Sequence, residues 1–552
     1  MNHSVVDALP SSSVSVSRLR TFSNTGAAIL AAMASGVLLA LPYNFPSLYL
    51  LTWVAFVPLL WVTRMSSLKQ AYGLGFCAGL AMYVIGAFWI VDFLELYLGL
   101  GSGRSVILAV AFWLYCAQLL ALLLLMYRWL RLHTGLSELV LFPPLVAMFY
   151  SGFPMLFSAP LGGSQSYFLV ALQATEFFGA ASLDFIIALT NVLLFVGLRV
   201  FLRLRVWQPS EARSVAVLTS SSGVWMAALL IVSWLSYGIY AVPRWDAAVA
   251  RWPVQAIGIV QPNETPSEQL PLPTPGYSWA YPPEMALTEK LAQAGAAVIV
   301  WPETRYKRYF ADPHVEQAFA AKVAKLGVPL MFQDIEALGQ GRDKKQYNTS
   351  VYLNAEGELA GKYRKVKRVP LGEYVPGLQH VEPFRDWLYH NLPAFFADFL
   401  PGETPALFTL GEFAMVPLIC YEVMFSELTA EAVGDGRSRV IVAISNNGWF
   451  GSSYQPYQHL HASVLRSVEN RVPMVHLSNN GPSGLVLPSG RMVVETAYHQ
   501  KMAALLAVPY SPRSGGSLFS RYPSLFLQVM QGWLGLLVVA IMLRCSLVDD
   551  QS

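Results

Sequence analysis

The chain has 552 residues, of which 55% are hydrophobic and 13% charged, and its mean hydropathy is +0.44. A soluble globular protein carries roughly 25% charged residues, so this composition excludes an ordinary soluble chain. The formal net charge of +3 supplies no electrostatic footprint for nucleic acid, and none is expected as a partner. The charge is also unevenly spread. Residues 1–250 hold 20 Asp, Glu, Lys and Arg, and residues 251–510 hold 46. A membrane-embedded part is therefore expected to precede a folded aqueous one.

A bilayer span needs about 20 mostly apolar residues. In chain order, eight segments qualify: 26–43, 47–63, 71–98, 105–127, 139–158, 180–198, 222–242 and 523–543. Pro42 to Pro46 makes a short turn between the first two. The first lacks a small-residue cleavage site and more spans follow, so it reads as a retained span and not a signal peptide. Lys and Arg gather at Arg18, Arg20, Arg64, Lys69, Arg128, Arg131, Arg199, Arg203, Arg205, Arg213 and Arg544, whereas the alternate short loops hold only Arg104. That bias places both termini in the cytoplasm and the long insert on the other side, the periplasm of a bacterium. The expected organisation is a cytoplasmic tail (1–25), a seven-span bundle (26–245), a periplasmic α/β domain (246–511), and a linker, eighth span and cytoplasmic tail (512–552). Asp92, Glu95, Glu176 and Asp184 are expected near the outer interface, hydrated or capping helices. They do not form the dispersed acidic chain of a proton-coupled transporter.

From 254 to 509 short β-branched runs alternate with amphipathic stretches. The pattern predicts strands at 254–260, 297–301, 329–333, 350–353, 414–419, 440–445, 474–478 and 484–487. Helices are predicted at 283–294, 314–326 and 458–470. Such alternation implies an α/β fold with helix-covered sheets and a site at strand ends. Three strand ends carry chemistry. Glu303 follows Ile299-Val300-Trp301-Pro302, a basic run spans Lys362 to Arg368, and Cys420 follows Pro417-Leu418-Ile419.

Cys77, Cys116 and Cys545 lie in or beside apolar runs, so Cys420 is the sole thiol of the insert and no disulfide can form within it. A lone thiol is either a small buried hydrophobe or a nucleophile. As a nucleophile it needs a base and a nearby cation. Glu303 with one lysine meets that need, and so does a histidine partner drawn from His459, His461 or His476. Spacing leaves both open. His459 and His461 are two apart on a predicted helix and face different sides, so no metal site is expected.

Taken together, Trp-Pro-Glu (301–303), Tyr-Asn-Thr (347–349), Tyr-Arg-Lys (363–365), Pro-Leu-Gly-Glu (370–373) and Ile-Cys-Tyr-Glu (419–422) resemble the nitrilase superfamily. Within it, the insert between two spans resembles the apolipoprotein N-acyltransferase family. Val369 to Pro376, Asn447 to Gly451, Gln458-His459 and Ser478 to Gly481 add to the likeness, which covers nearly the whole chain. The resemblance implies a membrane bundle of about eight spans carrying a four-layer αββα sandwich. It implies Cys420 as nucleophile, Glu303 as general base and Lys365 as their cationic partner, with no cofactor. Glu373 is implied as support for Lys365, Tyr421 as the source of an oxyanion-hole N–H, and Glu422 and Trp449 as residues lining the acyl pocket. One departure stands out: Asn446-Asn447-Gly448 replaces the family's Asn-Asp-Ala and removes a carboxylate.

The implied reaction is ping-pong acyl transfer. Cys420 takes an acyl chain from a membrane phospholipid, phosphatidylethanolamine being the family's usual donor. The thioester then acylates the N-terminal α-amine of a diacylglyceryl-cysteine apolipoprotein. A membrane-tethered amidase or hydrolase and a non-catalytic lipid-binding or transport scaffold are the rival readings. Eight surrounding spans argue for a monomer. An apolar stretch with Phe384, Trp387, Phe395, Phe396 and Phe399 is expected to act as a mobile arm gating lipid entry.

Overall fold

Where no water reaches, backbone N–H and C=O groups must pair within their own segment, so apolar runs become helices. The computed structural model describes residues 25–64, 66–205, 222–266, 272–304, 307–339, 345–374, 383, 399–434, 436–437, 439–513 and 515–549. Among these, six helices are long and apolar enough to span a bilayer: Thr25–Asn44, Pro46–Thr63, Ser102–Thr134, Ala180–Leu202, Ser222–Val249 and Leu525–Leu543. Leu68–Gly86 with Ile90–Leu96, bent by 54°, makes a seventh.

The expected figure of about eight spans agrees with these helices once a shorter apolar one is added. The segment expected to cross at 139–158 forms a helix over Glu138–Gly152, only 15 residues. At 1.5 Å per residue this reaches about 22 Å, short of a hydrocarbon core of about 30 Å. This helix buries Leu141, Phe142, Leu145 and Val146 against neighbouring helices and leaves Val140 exposed. Small residues let the bundle close tightly. A Cβ at Gly36 would lie 2.1 Å from the Ala78 carbonyl, and one at Gly75 2.4 Å from that of Leu120.

Among the described residues the α/β part contains two six-stranded sheets. Twelve strands follow in chain order: β1 (Val254–Gln261), β2 (Val298–Val300), β3 (Leu330–Leu338), β4 (Lys345–Leu353), β5 (Leu359–Arg364), β6 (Phe408–Leu410), β7 (Phe413–Ile419), β8 (Val440–Ser445), β9 (Met474–Ser478), β10 (Gly484–Val486), β11 (Met492–Glu495) and β12 (Met502–Pro509). The sheet orders are β12-β1-β2-β3-β4-β5 and β11-β10-β9-β8-β7-β6. In each, three parallel neighbours are flanked by antiparallel strands. The two sheets share one core, in which Ile257, Val300, Met331 and Tyr363 of the first meet Met415, Ile419, Val442 and Val475 of the second.

Helices Pro283–Gln293 and Pro313–Leu326 cover the outer face of the first sheet through Met285, Leu291, Phe319 and Val323. Ser426–Val433 and Gln455–Asn470 cover the second sheet, and here the core runs on into the bundle without a break: Val416, Ile441, Val464 and Leu465 pack in the same cluster as Phe56, Leu120 and Leu183.

Of the four carboxylates expected to be hydrated or to cap helices, Asp184 accepts from the first turn of the short helix Leu161–Gln165 within the bundle, and Glu176 serves the junction instead. Asp184 is 0% exposed and accepts from Gly162 N at 2.8 Å. Glu176 accepts from Arg471 Nε at 2.8 Å and Nη2 at 3.0 Å. Arg471 also donates to the Gln173 side chain at 2.9 Å and to its carbonyl at 2.8 Å, so one buried guanidinium clamps the α/β part to the bundle. Asp92 and Glu95 keep partial exposure.

Candidate active site

Strand ends from both sheets meet at one point. The chain leaves β2 through the buried Trp301 and delivers Glu303. It leaves β5 at Arg364, so that the next residue is Lys365, whose N–H donates to the Asn348 carbonyl on β4 at 2.9 Å. From the second sheet, β7 ends at Ile419 and Cys420 follows with φ +52°. A left-handed backbone is uncommon and strained for a residue other than glycine, and such strain concentrates at functional sites. Here it turns the chain abruptly from strand into the short 3₁₀ helix Cys420–Met424.

Lys365, 1% exposed, donates to Glu373 Oε1 at 2.9 Å and lies 3.8 Å from Glu303 Oε1. The Cys420 thiol lies within electrostatic reach of the Glu303 carboxylate and of Lys365. Asn348 Nδ2 donates to Glu303 Oε1 at 2.8 Å and to Glu373 Oε1 at 3.0 Å, while its own oxygen accepts from Gln333 Nε2 at 3.0 Å. Asn348 therefore spaces the two carboxylates around one ammonium. It stands in the Tyr-Asn-Thr motif, yet an amide on a strand carries no chemistry that sequence alone would mark as a site.

Electrostatics decide the resting protonation. Burial pushes the Cys420 thiol up and Glu303 adds to this, with Lys365 pulling the other way, so the sulfur rests as a thiol. Burial also raises Glu303, against the pull of Lys365. For Lys365 burial disfavours the charge, but Glu373 and Glu303 outweigh it and hold the side chain as an ammonium. A thiol, a carboxylate of raised proton affinity and a fixed cation together can move one proton from sulfur to oxygen while the cation receives the developing negative charge.

The supporting residues divide into distinct tasks. Glu373 Oε2 accepts from Val369 N at 2.8 Å, which fixes the loop that follows Lys365. Glu422 is 0% exposed and lies beneath the elbow rather than along the cavity wall that the resemblance implied. Its carboxylate accepts from Ile419 N at 2.8 Å, Val366 N at 2.6 Å, Lys367 N at 3.0 Å and the Tyr363 hydroxyl at 2.8 Å. It ties the nucleophile's turn to the strand end that carries Lys365.

His459 is no partner for the thiol. Its Nε2–H donates to the Cys420 carbonyl at 2.9 Å and its Nδ1 lies 3.1 Å from the Asn447 carboxamide. Burial lowers its pKa to about 4, so it is neutral. Of the two candidates left open, Glu303 is the one that stands beside Lys365 and within electrostatic reach of the thiol. His461 points elsewhere, its ring edge-on to Tyr167 of the bundle.

Tyr421 and Trp449 face the bundle. The Tyr421 hydroxyl donates to the Leu156 carbonyl at 2.8 Å, and Trp449 packs edge-to-face with Tyr97 at 4.7 Å. An apolar cavity opens at Cys420 and passes between the two parts, lined by Tyr421 and His459 on one side and by Tyr43, Met82, Phe112 and Phe157 on the other. Phe450, the neighbour of Trp449, borders this cavity. The expected arm at 384–400 lies outside the described residues, except for its last two, Phe399 and Leu400.

Known proteins align with both halves. Residues 35–193 match the apolipoprotein N-acyltransferase N-terminal domain, and residues 257–506 match the carbon-nitrogen hydrolase family. An apolipoprotein N-acyltransferase of Geobacter metallireducens is 32% identical over 522 residues, 90% of this chain and 92% of that protein. One of Pseudomonas paraeruginosa is 36% identical over 223 residues, 38% of this chain and 40% of its own length. Among solved structures, an amidase from Nesterenkonia sp. aligns over 47% of this chain and 92% of its own at 18% identity, with a TM-score of 0.34.

Proposed function

The chain belongs to the apolipoprotein N-acyltransferase family, and we propose that it carries out that reaction through a thioester on Cys420. In the first half-reaction Glu303 removes the thiol proton as Sγ attacks an acyl ester of a membrane phospholipid. Lys365 faces the negative charge that passes from sulfur to the carbonyl oxygen, and the N–H of Tyr421 is a second donor for that oxygen. The tetrahedral intermediate collapses, its C–O bond breaks, and Glu303 returns the proton to the departing lysophospholipid alkoxide.

In the second half-reaction the N-terminal α-amine of a diacylglyceryl-cysteine apolipoprotein attacks the thioester carbonyl. Glu303 takes an amine proton, the C–S bond breaks, and the proton returns to the thiolate. The amide product leaves and the enzyme is restored. Two covalent steps let one site serve two bulky lipids in turn.

The observation that carries this reading is the position of Cys420. It faces a carboxylate and an ammonium, and it opens into an apolar cavity whose far wall belongs to the membrane bundle. A hydrolase acting on a soluble amide needs no such wall, and an inert scaffold needs no buried ammonium between two carboxylates. Glu373 and Asn348 position Lys365 and Glu303, and Glu422 positions the elbow. Residues 246–511 form the catalytic unit on the periplasmic side, both termini are cytoplasmic, the chain acts as a monomer, phosphatidylethanolamine is the donor, and the 384–400 segment gates entry.

The test is product analysis. The purified full-length chain in phosphatidylethanolamine-containing micelles, given a diacylated lipopeptide, should convert it to the N-acyl form with one lysophospholipid released per turnover. Release of free fatty acid with the lipopeptide unchanged would assign the hydrolase instead.

A further inference from the structure

A second cavity abuts the catalytic one. Ser158, Pro160, Met424 and Arg466 border both, so they form a shared wall. The outer cavity differs in its chemistry. Phe178, Phe519 and Pro523 give it an apolar flank at the start of the last span, and Lys367, Glu427 and Glu431 give it a charged one.

Three observations identify what fits there. Glu427 and Glu431 are both exposed and stand four apart on Ser426–Val433, a spacing at which like charges repel on one helix face. A cation between them relieves that repulsion. Lys367 sits 5.3 Å above the Phe425 ring and offers positive charge on the same flank. In the shared wall Arg466 is 1% exposed; its Nε lies 3.1 Å from Glu469 Oε2, and neither Nε nor Nη1 makes a hydrogen bond among the described residues. A buried guanidinium N–H without a partner is costly and suits an anionic oxygen. Lys367 lies within electrostatic reach of Glu427, so the groove offers adjoining places for an anion and a cation beside an apolar flank.

The spacing agrees. Met424 closes the 3₁₀ helix that Cys420 opens. Four residues at about 2.0 Å each place the shared wall about 8 Å from the nucleophile, a distance that a glycerol backbone spans between ester and phosphate. We infer that the outer groove binds the headgroup of the donor glycerophospholipid, with its phosphate toward Lys367 and Arg466 and a primary ammonium between Glu427 and Glu431, while the acyl chain occupies the cavity at Cys420. The inference rests on the acyl-transfer reading proposed above and adds to it a site that selects the headgroup.

The experiment is single-turnover acylation of Cys420 in the full-length chain, followed by intact-protein mass spectrometry. Phosphatidylethanolamine and phosphatidylglycerol of identical acyl chains serve as donors. Wild type should react faster with the ammonium lipid. The double variant Glu427→Gln, Glu431→Gln changes two exposed side chains and should lower that ratio by about three- to tenfold. Lys367→Gln should slow both donors alike. If wild type is acylated and the double variant keeps the ratio, the groove assignment is wrong while acyl transfer stands. A change seen only in transfer to the lipopeptide gives the groove to the acceptor and also overturns it. No acylation of wild type by either lipid defeats the reading and the groove together.

Discussion

The two sheets of the α/β part are built alike, yet their outer helices live in different surroundings. On the first sheet, Pro313–Leu326 buries only Val315, Phe319 and Val323, a stripe at four-residue spacing, and gives its other face to water. On the second, Gln455–Asn470 buries 13 of its 16 residues, among them His459, Arg466, Glu469 and Asn470. One side of that helix packs on the sheet, and the other is held to the bundle: Gln458 donates to Asn44 at 2.9 Å and Glu469 accepts from Ala180 N at 2.6 Å.

The difference shows how the reaction is tied to the membrane. Glu303 and Lys365 come from the water-facing half, whereas Cys420 comes from the half fused to the bundle. In the proposed reaction the nucleophile is thus fixed relative to the bundle, and the base and cation are brought to it across the sandwich.

Substitutions can break this contrast at its strongest points first. Lys365→Met removes the cation between two buried carboxylates and should slow Cys420 acylation by about 10³-fold or more, read by single-turnover mass spectrometry. On the fused side, Arg471→Met leaves Glu176 buried with the Tyr237 hydroxyl but without its cation. It should cost about 3–5 kcal/mol, measured as a fall in thermal unfolding temperature in nanodiscs.

Asn348→Ala sharpens the role of the water-facing half, with acylation expected to slow by about 10- to 100-fold. The sign of its pH effect is fixed. Burial raises Glu303, and the Asn348 N–H stabilises the ionised form and so lowers it. Without that donor the carboxylate binds its proton more tightly, so the acid limb of the acylation rate should move to higher pH. Smallest of all, Lys322→Ala on the water-facing helix loses a partly exposed pair with Glu289 at 2.6 Å and a contact over the Tyr281 ring at 5.0 Å, and should change stability by at most about 1 kcal/mol. An Arg471 effect no larger than that of Lys322 would erase the contrast.

Legibility from sequence follows the same divide. Glu303, Lys365 and Cys420 stand directly after apolar strands in short motifs, so their positions can be read locally. β8 and β9 coincide with the expected 440–445 and 474–478 because their β-branched runs are buried on both faces. β12 escapes because Met502-Ala503-Ala504-Leu505-Leu506 has no two-residue alternation, and β5 because Gly361 and Lys362 interrupt an edge strand. The clamp between Glu176 and Arg471 joins residues 295 apart, and no local pattern announces it. Glu422 was legible as a motif residue but not as the post that ties Cys420 to Lys365, because that role depends on backbone N–H groups of two separate segments.

In the proposed reaction Cys420 carries the acyl chain between two lipids. Purified wild-type chain incubated with phosphatidylethanolamine should gain the mass of one acyl group on the Cys420 peptide. Hydroxylamine should remove that adduct, a diacylated lipopeptide should discharge it with gain of the same mass, and Cys420→Ser should carry no thioester. A wild-type chain that forms the N-acyl lipopeptide without any adduct on Cys420 would contradict the account.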